Sequence, residues 1–178
     1  MRISIIGYSA SGKSTLAKTL GEIFNIPVLY LDKVNFLSNW KERSREESKE
    51  IVGKFINDNE NFIIEGNYSK FAFDLRMKIS DKIIFLDFDR ITCLFQAIER
   101  YSKYKGKVRE SISEGCEEKL DFDFIYWILF RGRTEERVNR LNQLKEVYRD
   151  KIIILTNRKE VDDFVTKIKE NKSFENLL

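Results

Sequence analysis

Residues 7–14 read Gly-Tyr-Ser-Ala-Ser-Gly-Lys-Ser and fit the pattern G-x-x-x-x-G-K-[ST] at every position. The run Ile3-Ser4-Ile5-Ile6 precedes them, and Leu16, Leu20 and Ile23 follow at helical spacing. A strand turning through glycine into a helix is the context in which this pattern binds phosphate. Glycine admits the backbone conformations that aim successive N–H groups at phosphate oxygens, and the helix start adds the positive end of its dipole. The pattern therefore predicts a nucleotide-phosphate cradle built from Gly7, Ser9, Ala10, Ser11, Gly12, Lys13, Ser14 and Thr15. Lys13 is expected at the β- and γ-phosphates, and the Ser14 hydroxyl at Mg2+.

What the chain lacks narrows its chemistry. It has no histidine, which excludes Ser-His-Asp and Cys-His catalysis, HExxH zinc sites and histidine proton relays. Any general base is a carboxylate, a lysine or the substrate itself. Cys93 and Cys116 are the two cysteines, too few for a disulfide framework, and reduced thiols in a cytoplasmic setting are expected. The net charge of +3 is too small to announce a nucleic-acid or membrane partner. The longest apolar run, Phe124 to Phe130, has seven residues, far short of the roughly 20 a membrane span needs. At 178 residues the chain is expected to form one domain, residues 1–178.

Short apolar runs at 3–6, 27–31, 62–64, 83–86 and 152–155 predict five strands. Between them, helical spacing appears at 14–24, in a charge-rich stretch over 40–59, at 91–104, at 121–148 with a kink near Gly132, and at 160–170. Residues 71–79 are mixed, 105–119 form a polar loop, and the tail from 171 is expected to fray. Strands alternating with helices predict an α/β domain with a mainly parallel sheet, whose ligands bind at the carboxyl ends of the strands. Those ends carry Gly7, Asp32, Glu65, Asp87 and Asn157.

A guanine-reading Asn-Lys-x-Asp is missing from the stretch Asn157-Arg158-Lys159-Glu160. Small size, an acid after the second strand and an arginine-bearing loop favour a small-molecule kinase. Asp32 is placed to take the proton of an attacking hydroxyl, a reading its position beside the glycine loop favours over a helix cap or turn. Positioned guanidiniums stabilise the charge spread over a transferring phosphoryl group. Arg100, Lys103, Lys105, Lys107 and Arg109 surround the polar loop, while Arg131, Arg133 and Arg137 follow it. Of these, Arg100, Arg109 and Arg133 are the expected phosphoryl contacts, with Arg76 and Arg90 as lesser candidates. Asn67 and Tyr68 are candidates for touching an acceptor or simply for shaping a turn, and Phe36 and Trp40 for flooring an acceptor pocket or packing beneath a helix.

Several stretches together make the sequence resemble a family: IIGYSASGKST, VLYLDKVNF, FIIEGNYS, KIIFLDFDRITCL, the RYSKYKGKVR…EGCEEK loop, FIYWIL…GR and ILTNRKEVDDF. They resemble the DNA topology modulation proteins (FlaR), P-loop proteins related to adenylate kinase. That resemblance implies a three-layer P-loop NTPase fold of the nucleoside- or nucleotide-kinase type, with a five-stranded parallel sheet and a short lid at about 103–120. It implies ATP and Mg2+, a Walker B acid at Glu65 holding the metal through water, and base contacts from Asn157 and Arg158. Asp87 competes with Glu65 for the acid's role, to be decided by which strand lies beside the first. The acceptor stays open among nucleosides, nucleotides and similar molecules. The alternatives are an ATP-binding regulator of DNA topology and a polynucleotide 5′-kinase, with direct DNA binding not expected from the charge. Monomer and homodimer both remain open.

Overall fold

Four-residue apolar runs hide both faces only when they lie side by side beneath helices. The computed structural model, which describes residues 1–171, 173 and 174, arranges them so. Strands β1 (Arg2–Gly7), β2 (Val28–Tyr30), β3 (Phe62–Glu65), β4 (Lys82–Leu86) and β5 (Ile152–Leu155) form one parallel sheet in the order β2-β3-β1-β4-β5. The chain moves outward from β1 to one side and returns through β4 to the other, so the direction of winding reverses at β1. That reversal opens a crevice at the strand ends, and ligands of α/β sheets bind there. Alternation along β3 feeds two cores: Ile63 packs with Ile5, Leu16 and Leu20, while Phe62 and Ile64 pack with Leu31, Val34, Val52 and Phe71.

The helices are α1 (Lys13–Phe24), α2 (Leu31–Asn35), α3 (Arg45–Asp58), α4 (Phe73–Ile79), α5 (Arg90–Tyr104), α6 (Phe122–Leu129), α7 (Glu135–Val147) and α8 (Arg158–Asn171). They differ from the sequence expectation at α2, at α3, at α4, which forms within the stretch 71–79 read as mixed, and at the α6–α7 pair. The second strand stops at Tyr30, and Asp32 lies in the first turn of α2 rather than at a strand end. Leu31, Val34 and Asn35 repeat at helical spacing and are buried, which stabilises a helix over an extended strand. The charge-rich stretch is helical only from Arg45, where the Ser44 hydroxyl caps the Glu47 N–H at 3.2 Å. Before it, residues 36–42 double back through a bridge between Phe36 and Glu42.

The long helical pattern from 121 is two helices joined by a 3-10 turn at Arg131–Arg133. Gly132 fits there because a β-carbon would lie 2.9 Å from the Trp127 carbonyl oxygen. Part of the tail expected to fray lies outside the described residues; within them, Phe174 stacks on Phe24 at 5.4 Å, so this position is docked. Among the described residues no helix is long and apolar enough to cross a membrane.

Candidate active site

The phosphate loop leaves the middle of the sheet between two flanking strands. Gly7 has φ +150°, and a β-carbon there would stand 2.6 Å from the Leu86 carbonyl oxygen, so β4 presses on the loop at its root. Gly12 adopts φ 92° just before α1. Lys13 Nζ folds back over the loop and donates to the Tyr8 carbonyl at 2.8 Å. The Ser11 hydroxyl is buried with no hydrogen-bond partner among the described residues. An orphaned donor inside a glycine-bounded turn at a helix N-terminus fits an anion with free oxygens.

Asn67 fixes the start of the loop. Its Oδ1 accepts from the Gly7 N–H at 3.0 Å, and its Nδ2 donates to the Gly7 carbonyl at 2.7 Å. The segment carrying Asn67 is pinned from beneath by Arg76, which is fully buried. Its guanidinium donates to the carbonyls of Phe71 at 2.9 Å, Gly66 at 3.2 Å and Tyr68 at 2.9 Å. Arg76 is therefore spent on backbone and does not reach a ligand. Burial pulls its pKa down to about 10.

Strand adjacency does not separate the two acids, because β3 and β4 both pair with β1. Side-chain direction does. The Ser14 hydroxyl donates to Glu65 Oε2 at 3.0 Å, and Lys13 Nζ lies 4.0 Å from Oε1. Asp87 instead forms an ion pair with Lys145 of α7 at 2.7 Å. Burial pushes the Glu65 carboxyl up to about 7, opposed by the Lys13 charge and reinforced by Asp32. A hydroxyl and a carboxylate side by side are hard oxygen donors of the kind Mg2+ takes alongside phosphate and water, so the pair fits that ion.

On the other side of the crevice, Tyr68 donates its hydroxyl to Asp32 Oδ1 at 2.7 Å and stacks on Phe71 with centroids 4.9 Å apart. Above Asp32, the segment between α5 and α6 folds down. Ser113 donates to the carbonyls of Lys33 and Phe36, Cys116 Sγ donates to the Leu37 carbonyl at 3.1 Å, and Asn39 N–H donates to the Gly115 carbonyl at 3.2 Å. Trp40 donates Nε1–H to the Glu117 carbonyl at 3.1 Å and meets Phe36 edge-on at 5.2 Å. The Glu118 carboxylate, 3% exposed, lies between two guanidiniums. Arg100 approaches Oε1 at 2.6 Å through Nη2 and 2.8 Å through Nε, and Arg109 Nε approaches Oε2 at 2.6 Å. Burial and the neighbouring Arg109 charge lower the Arg100 pKa against the pull of Glu118 and Asp32, and Arg109 weakly opposes the rise that burial causes in Glu65.

The remaining expected residues are placed differently. Arg133 does not join Arg100 and Arg109; its Cζ sits 3.5 Å above the centre of the Tyr8 ring, and Nη2 donates to the Phe88 carbonyl at 2.6 Å. Ser9 accepts from Trp127 Nε1 at 3.0 Å, which ties the loop to α6. Asn157 caps α8, accepting from the Glu160 N–H at 3.0 Å. Arg158 pairs with Asp162 at 3.3 Å and, with Thr15, lines a groove of about 250 Å3 between α1 and α8. Arg90 opens α5 on the exposed surface.

Sequence reasoning did not single out Glu118, Asn35 or Trp127. No local signal marked Glu118, which is one of four glutamates between residues 100 and 119. Trp127 was legible only as one of five crowded aromatics, of which Phe122, Tyr126 and Phe130 are exposed.

No protein-family model matches the chain, and no curated protein matches it in sequence. Solved structures do match in fold. Shikimate kinase from Bacteroides thetaiotaomicron aligns over 97% of this chain and 98% of its own, with a TM-score of 0.52 and 19% identity. Shikimate kinase from Acinetobacter baumannii in complex with shikimate aligns over 99% and 95%, with a TM-score of 0.52 and 13% identity. The five-stranded parallel sheet with its flanking helices is the P-loop fold of these kinases across nearly the whole chain.

Proposed function

We propose that this protein is an ATP- and Mg2+-dependent phosphotransferase acting on a small hydroxyl-bearing acceptor. The observation that carries the reading is the convergence of Lys13, Ser14 and Glu65 on one side of the crevice with Asp32 on the other. The loop amides and Lys13 would hold the β- and γ-phosphates. Ser14 and Glu65 would hold Mg2+, which when bound neutralises charge on the phosphates. Asp32, steadied by Tyr68, would accept the proton of the acceptor hydroxyl as its oxygen bonds to the γ-phosphorus. The bond from that phosphorus to the β–γ bridging oxygen breaks, and ADP leaves. Residues 103–120 act as a lid that excludes water from this step, joined through Glu118 and its own Arg109 to Arg100 of α5. Thr15, Asn157 and Arg158 would face the nucleoside end of ATP, and Arg133 would brace the loop through Tyr8.

The motifs that resemble the topology modulation proteins belong to the same reading, as does a reducing, cytoplasmic setting for the free thiols of Cys93 and Cys116. The shikimate-bound neighbour supports a small acceptor. A polynucleotide 5′ end is the second reading. The exposed lysines 103 and 105 favour it, lying 5.6 and 5.9 Å from the rings of Tyr104 and Tyr101.

The test is steady-state conversion of ATP to ADP with Mg2+ across nucleosides, nucleotides, other small hydroxyl compounds and a DNA 5′-hydroxyl end, using wild type and Lys13→Ala. An acceptor that accelerates wild type alone is expected. Loss of ATP binding as well as turnover in the wild-type protein would refute the reading.

A further inference from the structure

We infer that the acceptor is an uncharged polyhydroxyl compound, a nucleoside or a polyol, carrying neither phosphate nor carboxylate. The inference rests on the phosphotransferase reading above and concerns the acceptor side of that same crevice. Enzymes that clamp an anionic substrate leave guanidinium forks open toward it, since the bidentate geometry of arginine matches phosphate and carboxylate. Here one buried carboxylate already lies between both guanidiniums. Glu118 engages Arg100 through two nitrogens and Arg109 through a third, and Arg109 Nη1 also donates to Ser111 at 3.1 Å. The trio keeps a single net positive charge, and Asp32 nearby offsets it.

Two neighbouring arginines are also committed. Arg43 Nε donates to the Val34 carbonyl at 2.9 Å, and Arg76 serves the carbonyls of residues 66, 68 and 71. An anionic acceptor would have to share both guanidiniums with a buried carboxylate whose charge repels it.

A second observation concerns hydrogen-bond type. Asn35 is 1% exposed, and both Nδ2 and Oδ1 lack a hydrogen-bond partner among the described residues. It lies three residues after Asp32 on α2, so around the helix axis it stands between the buried Leu31 and the crevice-side Asp32. A carboxamide needs both a donor and an acceptor, and a hydroxyl supplies both. An ionised phosphate or carboxylate only accepts, which would leave Oδ1 of Asn35 unsatisfied. Tyr68 occupies Oδ1 of Asp32 and leaves Oδ2 for a second hydroxyl of the same acceptor. Paired charges beside unpaired neutral polar atoms are the recognition chemistry of a neutral, hydroxyl-rich molecule.

Two measurements test this. In the first, wild-type turnover with ATP and Mg2+ is compared across matched pairs: ribonucleosides against their 5′-monophosphates, and sugar alcohols against the corresponding sugar acids. Uncharged members are expected to stimulate at least about tenfold more than their anionic partners. Equal or stronger stimulation by the anionic members would overturn the inference while leaving the kinase reading standing, whereas failure to bind ATP would remove that reading first. The second measurement needs no acceptor. With the nucleotide site filled by the β,γ-imido analogue of ATP and Mg2+, binding of inorganic phosphate is titrated calorimetrically to wild type and Glu118→Gln. Releasing the guanidinium pair is expected to tighten phosphate binding about tenfold or more. Phosphate binding that is as tight in wild type as in the variant would show that Glu118 does not close the arginines to anions, and the inference would fall. Should Glu118→Gln not fold, the wild-type titration still decides, because submillimolar phosphate binding there would itself contradict the inference.

Discussion

Asn67→Ala removes a carboxamide that satisfies both polar groups of a single peptide residue. Gly7 loses the acceptor for its N–H, now at 3.0 Å, and the donor to its carbonyl, now at 2.7 Å. Each such bond contributes about 1 kcal/mol net, so the pair is worth about 2 kcal/mol. In a domain of this size that lowers the melting midpoint by about 4–8 °C. Gly7 has little room to find other partners, because its φ of +150° and the Leu86 backbone fix its position. If the whole loss falls on the order of the phosphate loop, ATP affinity weakens by about 30-fold. Thermal melting and ATP titration, run on the same preparations, read both effects.

Asn67→Asp separates the two bonds. It keeps an acceptor for the Gly7 N–H but sets a carboxylate oxygen against the Gly7 carbonyl, so it is expected to be at least as damaging as alanine. A midpoint within about 1 °C of wild type together with unchanged ATP affinity would refute the clamp. An aspartate tolerated as well as asparagine would refute the orientation of the amide.

Other substitutions probe the remaining parts. Asp32→Asn should cut turnover by about 10²- to 10⁴-fold while ATP affinity stays put, and wild-type turnover in this variant would sink the base assignment. Tyr68→Phe should lower kcat by about tenfold at unchanged ATP affinity, since Asp32 loses the hydroxyl that orients it; an unaltered kcat would show that Asp32 is held by other means. Arg76→Met strands the carbonyls of Gly66, Tyr68 and Phe71 and should cost about 3 kcal/mol or more. Urea titration reads that loss, and an unchanged midpoint would contradict the pinning role.

The sheet was legible because each strand is a short apolar run ended by a polar residue, and the phosphate loop because its whole pattern is contiguous. Residues 27–35 were harder. A three-residue strand passing directly into a five-residue helix presents one apolar stretch, and periodicity needs more length to separate the two. Glu65 and Asp87 both end strands that flank β1, so topology could not distinguish them; the difference lies in where each side chain turns, toward Ser14 or toward Lys145. Glu118 and Asn67 act on partners 18 and 60 residues away in sequence, and local pattern carries no trace of such pairings. Arg133 shows the converse: an arginine after a basic loop suggests a phosphate contact, whereas its nearest company is an aromatic face and a backbone carbonyl.

The segment over Asp32 is fastened largely to main-chain oxygens. Ser113 reaches the carbonyls of Lys33 and Phe36, Cys116 that of Leu37, and Asn39 and Trp40 donate in return to the carbonyls of Gly115 and Glu117. Carbonyls are the same whatever side chain they accompany. Positions 33 and 37 are thereby free to vary without loosening the cover, and a change of shape in the chamber beneath does not require a new hinge or a new latch. Descendants of such a chain can exchange one acceptor for another by drift in the floor alone.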